Sequence, residues 1–234
     1  GILPPLSRDR VLAGTQSPLF FGSAIADFGV DRFLEYFVDF GSIPATRTAI
    51  FDDDLESSSS ITASHPEFTG FVFKMQANLD PNHRDRLAYV RVVSGRYSKG
   101  MKVKHSRSKS GKTYNLAAAQ ALFGQSRESI ETAYPGDVIG INNPGLFAIG
   151  DTLYTGNRKV SFPGIPAFSP EKFAYISNPN PSTYKSYSKG LAQLLDEGAI
   201  QMLRQRGDEG GGPIILAAVG QLQFEVVLAR LKDE

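Results

Sequence analysis

The 234-residue sequence lacks cysteine and has only three histidines. Without cysteine the chain has no disulfide, no thiolate nucleophile and no Cys-ligated zinc. His65, His83 and His105 are too widely spaced in sequence to suggest a pair of metal ligands. The sequence therefore predicts no metal site in this chain, and the cytoplasm is the default compartment for a chain without cysteine.

Long hydrophobic runs are also missing. No window of about 18 consecutive apolar residues occurs, which is the length that a membrane-spanning helix needs. The apolar stretch 18–26 is too short, and it carries no basic lead-in of the kind found in signal peptides. With 41% hydrophobic and 21% charged residues, the composition excludes a wholly disordered chain. We expect a soluble globular protein with no membrane partner.

Neither sign of charge is in excess overall, because 25 Lys and Arg residues stand against 24 Asp and Glu. One stretch departs from this balance, and we call residues 84–112 the basic segment. Its only acid is Asp85, and its ten basic residues are Arg84, Arg86, Arg91, Arg96, Lys99, Lys102, Lys104, Arg107, Lys109 and Lys112. If its strands pair as a hairpin, side-chain alternation would collect several of these charges on one outer face, beside Tyr97. Such a face suits contact with nucleic-acid phosphates. A solvated face whose lysines block edge-to-edge aggregation is an equally good interpretation.

Motifs that would carry catalysis are weak. Segment 106–113 ends in Gly-Lys-Thr like a phosphate-binding P-loop, but serine stands where the first glycine is required, so we interpret it as a solvated hairpin turn. The acidic run from Asp52 to Asp54 has no scaffold that would position a pair of carboxylates for acid/base chemistry. No serine lies in a Gly-x-Ser-x-Gly elbow. We therefore predict no catalytic residue in this chain.

Apolar spacing and turn residues divide the chain into four regions. Region 1–40 ends in a helix from Asp27 onward, whose apolar stripe is Val30, Phe33, Leu34, Phe37 and Val38. This stripe must pack on a sheet that residues 1–17 cannot build, so we expect region 1–40 to be the tail of a larger domain. Region 41–66 is predicted to be a linker, because it is acidic and serine-rich and too polar to build a core.

The other two regions differ in the spacing of their apolar residues. Region 67–162 has short β-branched and aromatic runs separated by glycine turns, which predicts a closed antiparallel barrel; stretch 116–123 fits helix and strand equally well. Region 163–234 is predicted to be a truncated α+β domain with the order helix, strand, helix, whose first helix ends near Gly198. Such a sandwich would require one more strand than the sequence contains.

Several stretches resemble the bacterial release factor 3 family of translational GTPases, which act in termination. The longest is Phe-Thr-Gly-Phe-Val-Phe-Lys-Met-Gln-Ala-Asn-Leu-Asp-Pro-Asn-His-Arg-Asp-Arg at residues 68–86. Residues 91–95, 135–138 and 149–152 are similar to the second-domain signature shared by elongation-factor-type GTPases, and residues 220–232 resemble the family's third domain. The resemblance extends over nearly all of residues 18–234. The stretches 83–86 and 222–224 favour this family over elongation factor G.

The resemblance implies a mainly β fold with α/β elements. A translation-factor antiparallel β-barrel would be flanked by the tail of a P-loop GTPase domain and by a partial α+β sandwich domain. Ser23, Ala24 and Ile25 match the Ser-Ala-Leu loop with which such GTPases contact the guanine base. The P-loop, switch and Asn-Lys-x-Asp motifs have no counterpart in this sequence. GTP or GDP with Mg²⁺ is therefore expected in the full-length family, whereas this chain is predicted to bind no cofactor and to hydrolyse no GTP.

The resemblance also implies partners. Family members bind the ribosome with GTP after peptide release and promote dissociation of the class I release factor, so that factor is an indirect partner. The second domain of related factors touches small-subunit RNA, which favours RNA contact by the basic segment; DNA is not expected as a partner, and the chain is expected to be a monomer. Two alternatives stay open: the corresponding piece of an elongation-factor-G-like translocase, and a stand-alone RNA-binding β-barrel.

Overall fold

The fold is taken from a computed structural model that describes residues 5–233 except 53, 78–85, 109–110, 124–125 and 204–212. Two compact units make up the chain, Gly1–Ala45 and Thr46–Glu234. Each unit is described by itself below.

The first unit contains two helices, α1 Arg8–Leu12 and α2 Val30–Phe40. Helix α2 confirms the helix predicted from the apolar stripe, although it begins at Val30 and not at Asp27. The later start has a backbone cause, since Asp27 (φ 51°) and Gly29 (φ 72°) adopt left-handed conformations that end the preceding turn. The stripe stays open to solvent within this unit, where Phe37 is 64% exposed.

Most of the second unit is antiparallel sheet. Its strands before residue 163 are β1 Arg47–Phe51, β2 Asp54–Ile61, β3 Thr69–Ala77, β4 Arg86–Ser94, β5 Tyr97–Ser98, β6 Met101–His105, β7 Tyr114–Leu116, β8 Ala119–Phe123, β9 Ser126–Ile130, β10 Thr132–Ala133, β11 Val138–Asn142, β12 Thr152–Tyr154 and β13 Val160–Ser161. Eight of them form a curled sheet in the order β7-β6-β12-β3-β4-β11-β8-β9. The ambiguous stretch 116–123 belongs to two strands, β7 and β8.

The predicted antiparallel barrel is present as a half-barrel, because β7 and β9 do not pair with each other in the described part of the chain. The short ribbon of β5 and β10 contributes to the core of this sheet. Its Tyr97 and Ala133 are almost completely buried in the same core as Val72, Val90 and Ile139. Side-chain packing by this ribbon therefore completes the core where strand pairing does not.

The linker predicted for 41–66 is contradicted for most of its length, because β1 and β2 lie within it. They form a three-stranded sheet in the order β13-β1-β2, with Ile50 opposite Ser161. Ala49 and Ile61 are buried against Val93 and Phe162. The segment is too polar to build a core of its own, but it acquires one because the apolar partners come from β4 and from the end of β13.

The third-domain part contains β14 Lys172–Ile176, a 3₁₀ turn Pro181–Thr183, α3 Tyr184–Asp196, β15 Gln201–Leu203, β16 Ile214–Ala218 and α4 Gln221–Asp233. The predicted helix, strand, helix order corresponds to α3, β16 and α4, and Gly198 (φ 70°) follows α3 where a helix end was expected. Strands β14 and β15 are absent from that prediction. The sheet order is β14-β16-β15, and Leu191 and Leu194 of α3 and Val227 of α4 are buried in one core with Leu216 of β16.

Membrane-spanning helices and metal-binding clusters are absent from the described residues. No helix among them is both long enough and apolar enough to cross a membrane. No group of three or more His, Asp or Glu side chains in the same residues is arranged to hold a metal ion.

Candidate nucleic-acid interface

The basic segment does not form a single patch. Arg84 and Lys109 lie outside the described residues. Arg86 and Arg91 are on β4, whereas Lys102 and Lys104 are on β6. Strands β12 and β3 lie between β6 and β4 in the sheet, so three inter-strand spacings, roughly 14 Å in all, separate the two groups. Charges that are close in sequence are therefore divided between two parts of the half-barrel surface.

Around β6 the side chains alternate as expected for a half-buried strand. Val103 and His105 are buried, Lys102 is exposed, and Lys104 is half-buried. Arg96 and Lys99 flank β5 in the turns on either side of it, and both are exposed. Arg96, Lys99 and Lys102 thus provide three solvent-accessible cations around the turn that joins β5 to β6, and we call them the turn cations.

Four cations of the basic segment are engaged within the protein. Arg107 donates to both carboxylate oxygens of Asp151, through Nε at 2.5 Å and Nη2 at 2.9 Å. Arg86 forms an ion pair with Asp196 of α3. Lys104 donates to the Gly156 carbonyl at 3.0 Å, and Lys99 pairs with Glu131 at 2.8 Å. The last pair is solvent-exposed on both sides and therefore holds Lys99 weakly.

The other described cations of the segment have fewer contacts. Lys112 lies over the Tyr114 ring, with Nζ 5.6 Å from the ring centroid. In the described part of the chain, Arg91, Arg96 and Lys102 have neither an ion pair nor a side-chain hydrogen bond. These three side chains are the most available for an external anion. The sequence prediction contains all three as RNA-binding candidates. It does not distinguish them from Arg107, because the carboxylate partner of Arg107, Asp151, lies 44 residues further along the chain.

A buried polar cluster surrounds the carboxylate that binds Arg107. Asp151 is 1% exposed, and its carboxylate also accepts a hydrogen bond from the Ala148 N–H at 2.8 Å. His105 Nδ1 lies 3.8 Å from Asp151 and has no hydrogen-bond partner among the described residues, while its ring packs against Tyr114 and Phe147. Burial lowers the pKa of His105, and Arg107 adds to this effect while Asp151 opposes it. The hydrogen bond from Arg107 to Asp151 raises the pKa of that guanidinium.

The lowered pKa of His105 predicts a loss of stability in mild acid. Because protonation then favours the unfolded chain, stability is full above the unfolded pKa of about 6.5 and falls as pH drops below it. We expect the urea midpoint to decrease between about pH 7.5 and about pH 5.5, and His105→Gln to reduce this slope. His65→Gln, a change at a histidine outside the cluster, is the control. An equal slope in the His105→Gln protein would contradict the prediction.

Residues 23–25, which match the guanine-contacting loop of such GTPases, form a tight turn in the first unit. Ser23 pairs with Phe28 as an isolated antiparallel bridge, and Ser23 Oγ accepts from the Ala26 N–H at 3.3 Å. Ile25 is fully exposed at the tip. This turn offers one hydroxyl and backbone groups, but no glycine-rich phosphate loop with its lysine, so it does not supply a site for nucleotide phosphates or Mg²⁺.

Two family models match the second unit. Residues 67–156 match the model described as elongation factor G domain 2. Residues 162–234 match the model described as the class II release factor RF3 C-terminal domain. The first match covers the half-barrel, including the basic segment, and the second covers the third-domain part.

Curated relatives match along the whole sequence. A protein named peptide chain release factor 3 from Cyanothece sp. is 52% identical over 234 residues, which is 100% of this chain and 41% of the relative. Proteins of the same name from Gloeothece citriformis and Microcystis aeruginosa are 53% and 54% identical over 229 residues, covering 98% of this chain and 40% of each relative. The chain thus spans about two fifths of the length of these relatives.

A solved structure has the same fold. A crystal structure of a Thermus thermophilus protein superposes with a TM-score of 0.69 at 22% identity, covering 97% of this chain and 31% of that one. At this level of identity the match concerns architecture. It supports the arrangement of half-barrel and α+β part described above.

Proposed function

The chain belongs to the peptide chain release factor 3 family, and from this premise we propose that it is the ribosome-binding portion of a translation-termination GTPase. In the longer protein, GTP-dependent binding to the ribosome would promote release and recycling of class I release factors. We propose the cytoplasm as its place of action. The observation that carries the proposal is the run of whole-chain matches to relatives of this name, together with the third-domain match over 162–234.

GTP hydrolysis would belong to parts of the longer protein other than this chain. GTP and Mg²⁺ bind through a P-loop and switch elements, and none of the motifs in this sequence provides them. The turn at Ser23 would at most contact the base. Within the longer protein, the role of this chain is therefore binding and positioning on the ribosome, and no hydrolytic step is assigned to its residues.

The turn cations are proposed to contact small-subunit RNA. They are exposed, and neither Arg96 nor Lys102 is held by a carboxylate in the described part of the chain. Tyr97, between Arg96 and Lys99, is buried in the core, which holds the backbone of this turn against the half-barrel. Cations on a backbone that is held in place lose little conformational freedom on meeting a phosphate backbone, and the resulting contacts release counterions.

A charge-removal experiment tests this contact. The triple variant Arg96→Gln, Lys99→Gln, Lys102→Gln should bind isolated small ribosomal subunits roughly ten-fold or more weakly at about 0.1 M salt. The slope of log affinity against log salt should flatten by about 2, since each lost phosphate contact removes roughly 0.7 to 0.9. The matched control Arg8→Gln, Arg10→Gln, Arg32→Gln removes the same charge from exposed positions in the first unit. Equal slopes for the two triple variants would rule out the turn cations as the RNA contact.

The whole-protein activity needs a different test. This chain can replace the matching part of the Cyanothece relative, and turnover of class I release factors on termination complexes can be measured with the chimera. Retained turnover supports the proposal. A chimera that drives translocation instead would favour the elongation-factor-G alternative, which the domain 2 match over 67–156 keeps relevant.

A further inference from the structure

A cleft of about 360 Å³ lies between the three-stranded sheet and the half-barrel. Its polar lining consists of Arg47, Arg91, Thr46 and Thr48, and Phe71 and Phe162 provide much of its apolar wall. Of the two arginines, Arg91 belongs to the basic segment and Arg47 does not. Sequence reasoning misses Arg47, because that residue lies in the region predicted to be a linker.

Both arginines lie on strands whose side chains pack together in one core. Arg47 lies two residues before the buried Ala49 on β1, and Arg91 lies two residues before Val93 on β4. Side chains two residues apart on a strand share a face. Each arginine therefore lies on the same strand face as the buried residue two positions after it. Arg91 also lies directly opposite Phe71 in the β3–β4 pairing.

The charge of the cleft is uncompensated. Its lining contains two arginines and no acidic residue. Within the described residues, neither Arg47 nor Arg91 forms an ion pair, whereas Arg86, Arg107 and Arg230 each have a carboxylate partner. Two arginines in the lining of one cleft favour an anion there, and the planar guanidinium geometry suits bidentate contact with phosphate. The hydroxyls of Thr46 and Thr48 add further donors.

The apolar side of the cleft is aromatic. The rings of Phe71 and Phe162 have centroids 6.3 Å apart and meet edge to face at 84°. Phe162 is buried, and Phe71 is half-buried with access to the cleft. An aromatic ring beside paired arginines is the combination that binds a base together with its phosphate. A volume near the lower limit of small-molecule sites suits one such unit.

We propose that this cleft binds a single phosphorylated nucleoside, with the phosphate between Arg47 and Arg91 and the base against Phe71. A free nucleotide and an unpaired nucleotide of RNA present the same chemistry. The proposal stands on the geometry of the cleft and does not depend on ribosome binding by the turn cations.

Binding is measured on the whole 234-residue chain by NMR titration with AMP, adenosine and inorganic phosphate as separate probes. We expect AMP to bind at least ten-fold more tightly than either of the other probes, since only AMP uses both sides of the cleft. Arg47→Gln and Arg91→Gln should each weaken AMP binding about ten-fold, because each removes a charge-assisted hydrogen-bond donor. Arg47→Lys keeps the charge and should retain part of the affinity.

The control variant is Arg10→Gln, which removes one exposed cation of the first unit, outside the cleft, and should leave AMP binding unchanged. Equal affinities for AMP and phosphate would overturn the proposal, as would AMP binding that is unaffected by both glutamine variants. A labelled hexauridylate that AMP displaces from the cleft would identify RNA as the source, and AMP binding without oligonucleotide binding would identify a free nucleotide. If the chain failed to bind ribosomes but still bound AMP, only the proposed function would be refuted, and the proposed nucleotide site would stand.

Discussion

Replacing Asp151 by alanine should destabilise the half-barrel by about 3 kcal/mol, because breaking a buried ion pair typically costs about 3 to 5 kcal/mol. Asp151 is 1% exposed and accepts hydrogen bonds from Arg107 and from the Ala148 N–H. The alanine variant leaves that amide without its acceptor. We place the cost at the lower end of the range because the Arg107 side chain is 57% exposed, so water can solvate it once the carboxylate is gone.

Urea unfolding followed by far-UV circular dichroism measures this effect, since the chain has no tryptophan to report by fluorescence. The control is Asp196→Ala, which removes the partner of Arg86. Asp196 is 58% exposed, and pairs of this kind contribute less than about 1 kcal/mol. If both alanine variants lose the same stability, the buried cluster has no special structural role.

Alanine at Gly95 should cost about 3 kcal/mol for two separate reasons. Gly95 has φ of +64°, a conformation that costs an L-residue about 1 to 2 kcal/mol. A Cβ there would lie 2.6 Å from backbone atoms of Glu67 and Phe68, and overpacking of this kind adds about 1 to 3 kcal/mol. Ser94 Oγ donates to the Glu67 carbonyl at 2.8 Å, and this hydrogen bond holds the two backbones close together.

Gly100→Ala separates the two contributions. Gly100 has φ of +78°, but a Cβ there would meet no atom within 4 Å. The control should therefore lose about 1 kcal/mol, from the backbone conformation alone. Thermal melts of the two variants under one condition give the comparison. Equal losses would show that the approach of residues 67 and 68 relaxes without cost.

Sequence periodicity predicts a helix or strand correctly where the apolar pattern lies within that element. Helix α2 follows from an apolar stripe at 3.6-residue spacing, and the alternation of Met101 to His105 predicts a half-buried strand. Strands β5, β10, β13 and β15 have only two or three residues each, too few for any period to be detected. The β1–β2 pair was missed for another reason, since the apolar partners of Ala49 and Ile61 lie elsewhere in the chain.

The amino-acid sequence by itself determined the absence of cysteine chemistry, the helical stripe of α2, the strand-rich middle region, the local excess of basic residues and the family resemblance. Each of these depends on residue type or on short-range spacing. Only the tertiary structure decided which cations are available. The insertion of β12 and β3 separates Lys102 from Arg91, and Asp151 engages Arg107. Packing of β1 against β4 brings Arg47 and Arg91 to one cleft, because contacts between distant segments are set by strand order and register rather than by neighbouring residues.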